Sequence, residues 1–363
     1  MNKYLSILLF TGLFLFSCKE NIYYLPNINH VNTDSIISFI KGEKIQVDEI
    51  GLRSLQTIDS FVIAYTYNPD CQLIIYNTDF KCIAKLCPKG RGHNEFNELV
   101  SLEMGRLMSD SWNIIVKDAV NKKVCMIDIS KSIKEQHCII TDTLGEDRSF
   151  EQNYFLNDNR RFVLKNVSYE DARDNIFYPP LFYIDNGRKK KIYIAIYPVI
   201  APNIEAAGLS TIIYQFMPTI KPDCSKIAIS QCFTDITTIV DLNDLSCYGI
   251  AGNDYVDLND IIIKNNSENN PIYNKMKNGA IGLYTSDKYF FELYDERTIY
   301  ESDFENRTLK TSIRVYNWNG NFVTKLIFDE SLASITYNDT NKSLYALDKD
   351  ENIYRYNLKD ILN

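Results

Sequence analysis

Histidine and tryptophan are the scarcest informative residues, with 3 and 2 among 363, and the histidines (His30, His93, His137) stand far apart. A histidine-based metal centre or nucleophile–base pair is therefore poorly supplied. No C-x-x-C pair, G-x-S-x-G elbow or H-E-x-x-H run occurs, which removes the commonest zinc and hydrolase signatures. After the first 17 residues no long apolar stripe recurs at helical spacing. No stretch rich in Pro, Ser or Gly divides the chain, so two separate β domains are disfavoured. Basic runs are lacking too. Arg188 to Lys191 is the longest and reads as a solvated hairpin tip, and with a net charge of −8 this argues against nucleic acid as a partner.

What is abundant is strand-forming residue types. The 25 Tyr and 19 Phe outnumber the 14 Gly and 10 Pro. From Ile313 to Leu358, short alternating runs of Val, Ile, Tyr and Phe are cut by Asn319-Gly320, by 338–341 and by 348–351, a meander with a turn about every ten residues. The segment 73–86 (LIIYNTDFKCIAKL) aligns without gaps onto 313–326 (IRVYNWNGNFVTKL), and 113–129 mirrors 343–358 with one gap. Internal repeats of this kind are the signature of stacked or radial architectures. Counting strands from Lys44 gives five sets of four and a last set of three, with 44–50 left over. The sequence therefore predicts an all-β fold, a six-bladed β-propeller of four-stranded blades, with seven blades as the alternative. Residues 44–50 are expected to close the ring beside 353–357. In that strand order one face carries short hairpin turns. The other carries the long connections (167–180, 198–210, 251–280, 294–312), and binding is expected there.

The N-terminus reads as a targeting segment. Lys3 and the apolar run 5–16 have signal-peptide proportions, and 15–18 (LFSC) resembles a bacterial lipobox. Residues 1–17 are then a lipoprotein signal peptide, Cys18 is the lipidated residue, 18–43 form a polar tether, and 44–363 form one propeller domain. Lys19-Glu20 resembles an export signal to the outer surface of Gram-negative cells. The expected location is the cell envelope, at the outer membrane. Eight further cysteines in an oxidising compartment allow disulfides. Hairpin register suggests Cys125 with Cys138 and Cys71 with Cys87, against the reading that each is a small buried hydrophobe.

Three pieces of the chain resemble the TolB-like six-bladed β-propeller lipoproteins of Gram-negative bacteria. Residues 90–96 (GRGHNEF) are similar to that family's G-x-G-P-G-E-F loop, 293–297 (LYDER) to its Leu-Tyr-Ser-Gly-Arg segment, and 313–358 to its last blade. His93-Asn94 replaces Pro-Gly and Asp295-Glu296 replaces Ser-Gly. The resemblance implies an anchored propeller of largely uncharacterised function. Gly90-x-Gly could suggest a phosphate loop, but no helix follows it. The plainer reading has Glu95 capping backbone N–H groups and Phe96 buried. The functional reading makes Arg91, His93, Glu95 and Arg297 ligand contacts. The leading expectation is a lipid-anchored binding module for a protein or saccharide, with a scaffold subunit of an envelope or nutrient-uptake complex as one alternative. The other is a metal-dependent hydrolase of lactonase type, whose calcium would draw on Glu95, Asp147, Asn203 and Asp329. No cofactor is otherwise specified.

Overall fold

A computed structural model describes residues 27–92, 94–101, 106–108, 111–146, 151–156, 161–165, 181–185, 191–193, 215–257, 276–303 and 308–362. Three short strands come first: β1 (Ile28–His30), β2 (Ile37–Ile40) and β3 (Glu43–Ile45). The rest fall, in chain order, into six antiparallel sheets. The first holds β4 (Leu52–Ile58), β5 (Phe61–Thr66), β6 (Leu73–Asn77) and β7 (Cys82–Leu86). The second has β8 (Leu99–Ser101) and β9 (Arg106–Met108), both paired to β10 (Ser111–Asp118), then β11 (Lys123–Asp128) and β12 (Ile140–Glu146). The third is β13 (Glu151–Phe155), β14 (Arg161–Lys165), β15 (Leu181–Asp185) and β16 (Lys191–Tyr193). The fourth is β17 (Phe216–Ile220), β18 (Lys226–Gln231), β19 (Ile236–Asp241) and β20 (Cys247–Ala251). The fifth is β21 (Lys277–Thr285), β22 (Tyr289–Thr298), β23 (Thr311–Asn317) and β24 (Phe322–Phe328). The sixth is β25 (Leu332–Asn338), β26 (Ser343–Asp348) and β27 (Ile353–Asn357).

Neighbouring sheets touch in sequence. β17 meets β21, β21 meets β25, β25 meets β4, and β5 meets β8. The third sheet packs on the fourth through Phe182 and Phe216, edge to face at 5.1 Å. The last sheet thus meets the first, and the architecture is an all-β propeller. That seam is polar as well as apolar: Thr57 N–H and the Thr336 hydroxyl are 2.8 Å apart, and the Asn338 amide donates to the Asp59 carbonyl at 2.7 Å.

Strand alternation explains the core. Side chains at successive positions face opposite sides, so Ile63 and Ile75 pack toward the second sheet while Val62 and Ile74 pack toward the sixth. Both faces are buried, which is why the strands read as nearly continuous apolar runs.

The repeated segments owe their likeness to the turns they build. Asn77 accepts from the N–H groups of Asp79 and Lys81 at 3.0 and 2.9 Å, and Asn317 does the same for Asn319 and Asn321 at 3.0 Å each. The left-handed position falls at Phe80 (φ 58°) in one copy and Gly320 (φ 80°) in the other. Of Asn319-Gly320, only the glycine takes positive φ, so this is a bulged turn rather than a two-residue one. Asp118 and Asp348 likewise accept from backbone N–H groups of their own turns, at 3.1–3.2 and 2.8–2.9 Å.

Several expectations are corrected. The segment expected as a polar tether carries strands: β1 adds in parallel to β20, and β2 in parallel to β24. The fourth and fifth sheets therefore have five strands, not four. The strand beside β27 is Glu43–Ile45 rather than 44–50. The first described strand of the fourth sheet is Phe216–Ile220, an edge strand where the missing N–H of Pro218 costs nothing, while 211–214 of the expected strand 211–216 lie outside the described residues. The connection after β11 is a helix, α1 (Ile129–Glu135), capped by the Asp128 carboxylate accepting from Lys131 N–H at 2.8 Å. That helix lengthens the turn, so Cys125 faces Thr143 instead of Cys138. Cys71, Cys87, Cys125 and Cys138 are all buried free thiols.

Candidate functional site

Strand direction sorts the connections. Links between sheets, and turns from second to third strands, share one face. Turns from first to second and from third to fourth strands share the other. On the linker face, residues 88–96 close on themselves. Gly90 N–H donates to the Phe96 carbonyl at 3.1 Å, Phe96 N–H to the Pro88 carbonyl at 3.1 Å, and Gly92 N–H to the Glu95 carboxylate at 2.7 Å. Phe96 is buried. A Cβ at Gly90 would lie 1.9 Å from the Glu95 carboxylate, so the glycine makes room for the cap. Glu95 is therefore a turn-builder, while Arg91 is exposed. His93, Asp147, Asn203 and Cys18 lie outside the described residues.

Arg297 is brought to the same face at the end of β22, but its guanidinium forks onto the Asp295 carboxylate at 3.0 and 2.7 Å. Asn278 donates to the same carboxylate at 3.0 Å. Asp295 is thus what holds the arginine down. The expected long loop 294–312 is partly regular, since β22 runs to Thr298 and α2 (Ile299–Asp303) follows.

The strongest electrostatic feature was missed by sequence reasoning. Arg314, in the middle of β23, is fully buried between the fourth and fifth sheets. It pairs with Asp235, with Asp254 at 2.8 Å and with Glu292 at 3.7 Å, and lies 3.5 Å from the centre of the Tyr294 ring. Glu292 also accepts from the Ser230 and Thr237 hydroxyls. Three carboxylates share one guanidinium, so one of them is disfavoured as an anion. Burial pushes the Asp235 carboxyl up to about 7, with Arg314 opposing and Glu292 and Asp254 adding to the rise. The repeat held the signal: Arg314 occupies the position of Ile74, a core residue. With the Tyr294 ring over it and no exposed surface of its own, Arg314 joins the two sheets, and Asp254, its side chain 30% exposed, is where the cluster meets solvent.

Asp329 is exposed on the link between the fifth and sixth sheets, on a different link from Glu95. Among the described residues no group of three or more His, Cys, Asp or Glu could hold a metal ion.

Open surface lies between the first and second sheets. There, on the linker face, Arg53, Tyr67, Gln72, Lys89, Asn97 and Glu98 line much of a groove of about 420 Å³. Tyr67 is 67% exposed, and the Arg53 guanidinium sits 4.3 Å from its ring centre and 3.5 Å from Glu98. A planar ring flanked by charged and amide groups is a surface able to stack and hydrogen-bond a ligand.

The fold class is a β-propeller. No family profile matches the chain, and no curated protein matches it. Among solved structures, a member of the DUF4221 family from Bacteroides vulgatus is similar over 92% of this chain and 94% of its own, at 10% identity and a TM-score of 0.50. The β-propeller domain of Cps50 (Swd1) from Myceliophteria thermophila matches over 87% of this chain and 99% of its own, at 10% identity and a TM-score of 0.42. At such identities the likeness concerns the fold.

Proposed function

We propose that this protein is a lipid-anchored binding module of the cell envelope, a six-bladed TolB-like propeller whose linker face takes up a saccharide. The observation that carries the ligand class is the groove beside Tyr67. Its volume suits a sugar unit or two, and its lining combines an exposed aromatic ring with Arg53, Asn97 and Glu98. Each sheet is read as a blade, with β3 completing the sixth. The anchor reading rests on the lipobox-like segment before Cys18. β1 lies on the outer edge of the fourth sheet, so an anchor at Cys18, nine residues before Asn27, would reach at most about 30 Å from that rim. Such a tether leaves both faces open.

Binding of the purified protein to an array of cell-surface glycans tests the ligand class. Tyr67→Ala is expected to weaken binding of any captured glycan at least tenfold while leaving the melting temperature within about 1–2 °C, since the ring is exposed. Unchanged binding would rule out the groove. Separately, Cys18→Ala is expected to move the protein from the membrane to the soluble fraction. Retention there with intact lipid labelling would end the anchor assignment.

A further inference from the structure

The groove beside Tyr67 is unbalanced in charge. Two cations and one acid line it: Arg53, Lys89 and Glu98. The arginine is committed. Its guanidinium lies 4.3 Å from the Tyr67 ring centre, donates to the Leu99 carbonyl at 3.3 Å and pairs with Glu98 at 3.5 Å. Arg53 and Glu98 thus offset each other. Lys89 is different: it is exposed, and among the described residues its ammonium makes no ion pair or hydrogen bond. Asp118, on the turn that carries Val120 into the groove, does not balance it. That carboxylate is 1% exposed and is occupied by Asn97 N–H at 2.9 Å and the Asn121 amide at 2.8 Å. One positive charge in the lining is left in excess.

The backbone under that charge is fixed. Lys89 N–H donates to the Pro69 carbonyl at 2.8 Å, which ties the linker to the turn that carries Tyr67. Lys89 also bridges in parallel to Phe96. Gln72, 4% exposed, commits both ends of its amide to the same linker, donating to the Phe96 carbonyl at 2.6 Å and accepting from Leu99 N–H at 2.8 Å. The two segments that bear the ring and the ammonium are therefore bonded to each other before a ligand arrives, which lowers the ordering cost of binding.

We infer that this groove selects an acidic sugar, a glycosyl ring bearing one anionic oxygen group, with Tyr67 stacking on the ring and Lys89 pairing with the anion. The inference rests on the saccharide reading above and adds a charge to it. A neutral sugar leaves the ammonium without a counter-ion, whereas an acidic one supplies a charge-assisted hydrogen bond. Asn97 and Glu98 remain for the sugar hydroxyls. Uronic acids carry the anion as a carboxylate and sulfated sugars as a sulfate ester. An ammonium is a point charge without the planar fork of a guanidinium, so it takes either.

The test is ligand-observed NMR with matched monosaccharides, D-glucose, D-glucuronate and glucose 6-sulfate, at equal ionic strength. One of the acids is expected to bind about threefold or more tighter than glucose, the scale of an exposed ion pair, and the tighter acid identifies the anion. Lys89→Gln is expected to remove that preference and Lys89→Arg to keep it. Both changes are at an exposed position and are expected to leave the fold intact. Tyr67→Ala is expected to weaken all three sugars alike. Equal binding of glucose and both acids, or a preference that survives Lys89→Gln, would overturn the inference and leave the saccharide reading standing. If the monosaccharides bind too weakly to compare, the glycan array decides: acidic glycans captured and then lost with Lys89→Gln support it, and capture of neutral glycans alone overturns it. No capture of any glycan would end both readings.

Discussion

At the scale of single residues, Arg314 decides more than any other side chain described. Replacing it by Met leaves Asp235, Asp254 and Glu292 facing one another without their common cation. Breaking a buried pair by removing one partner typically costs about 3–5 kcal/mol, so Arg314→Met is expected to lower the urea midpoint sharply, with Arg314→Ile, the residue type at Ile74, no better. Asp235 gives the pH dependence. Its carboxyl rises from an ordinary 3.8 to about 7, so between those values the folded chain binds more protons than the unfolded one. Stability from this group therefore falls as pH rises through that window and is lowest above it. Asp235→Asn is expected to flatten the change in urea midpoint between pH 5 and pH 8; an unaltered slope would assign the effect elsewhere. Gly279 tests sterics rather than charge. Its φ is +69°, and an added Cβ would sit 1.7 Å from the Cys232 carbonyl, so Gly279→Ala is expected to cost at least about 2 kcal/mol. Among the thiols, Cys82 is exposed while Cys87, Cys125 and Cys138 are buried. A maleimide applied to the native protein is expected to label Cys82 first and the other three only on unfolding.

At the scale of elements, what the sequence disclosed and what it hid follow one physical rule. Strands whose side chains alternate over five or more positions, with Asn or Asp closing the turn, were legible: Asn77, Asn317, Asp118 and Asp348 each cap the turn their pattern implied. β1 and β2 were not. They have three and four residues and are largely exposed, and they are strands because β20 and β24 offer them open edges, which no local pattern encodes. The helix α1 was hidden too: the apolar strand before it reads straight into a hairpin, although Asp128 supplies the helix cap. The candidate contacts fared similarly. Arg297 was picked out by its motif, yet whether it faces solvent or Asp295 depends on a neighbour's identity two residues away. The groove at Tyr67 assembles residues from two sheets and has no signature in any one segment. The N-terminal strands are held by more than backbone pairing. Lys325 bridges Asp34 at 3.0 Å and Glu296 at 2.8 Å, and Arg355 reaches Glu43 at 2.8 Å. Removing residues 27–45 is expected to lower the melting temperature of the whole chain by roughly 5–10 °C in a single transition; a separate early transition, with the main one unmoved, would show the three strands to be an appendage.

At the scale of the molecule, the first residues of the described chain lie on the last sheets. Ile28 pairs across to Gly249, Ile37 to Lys325, and Ile45 to Ile353. In a polypeptide made and delivered from its N-terminus, these strands emerge long before anything exists for them to pair with. The outer edges of the fourth, fifth and sixth sheets cannot be sealed until β20, β24 and β27 in turn have been made. The ring is consequently a structure that completes late, with contacts of high sequence separation and the slow folding that goes with them. That delay keeps the chain unclosed, with its outer edges open, until its last residues have been made.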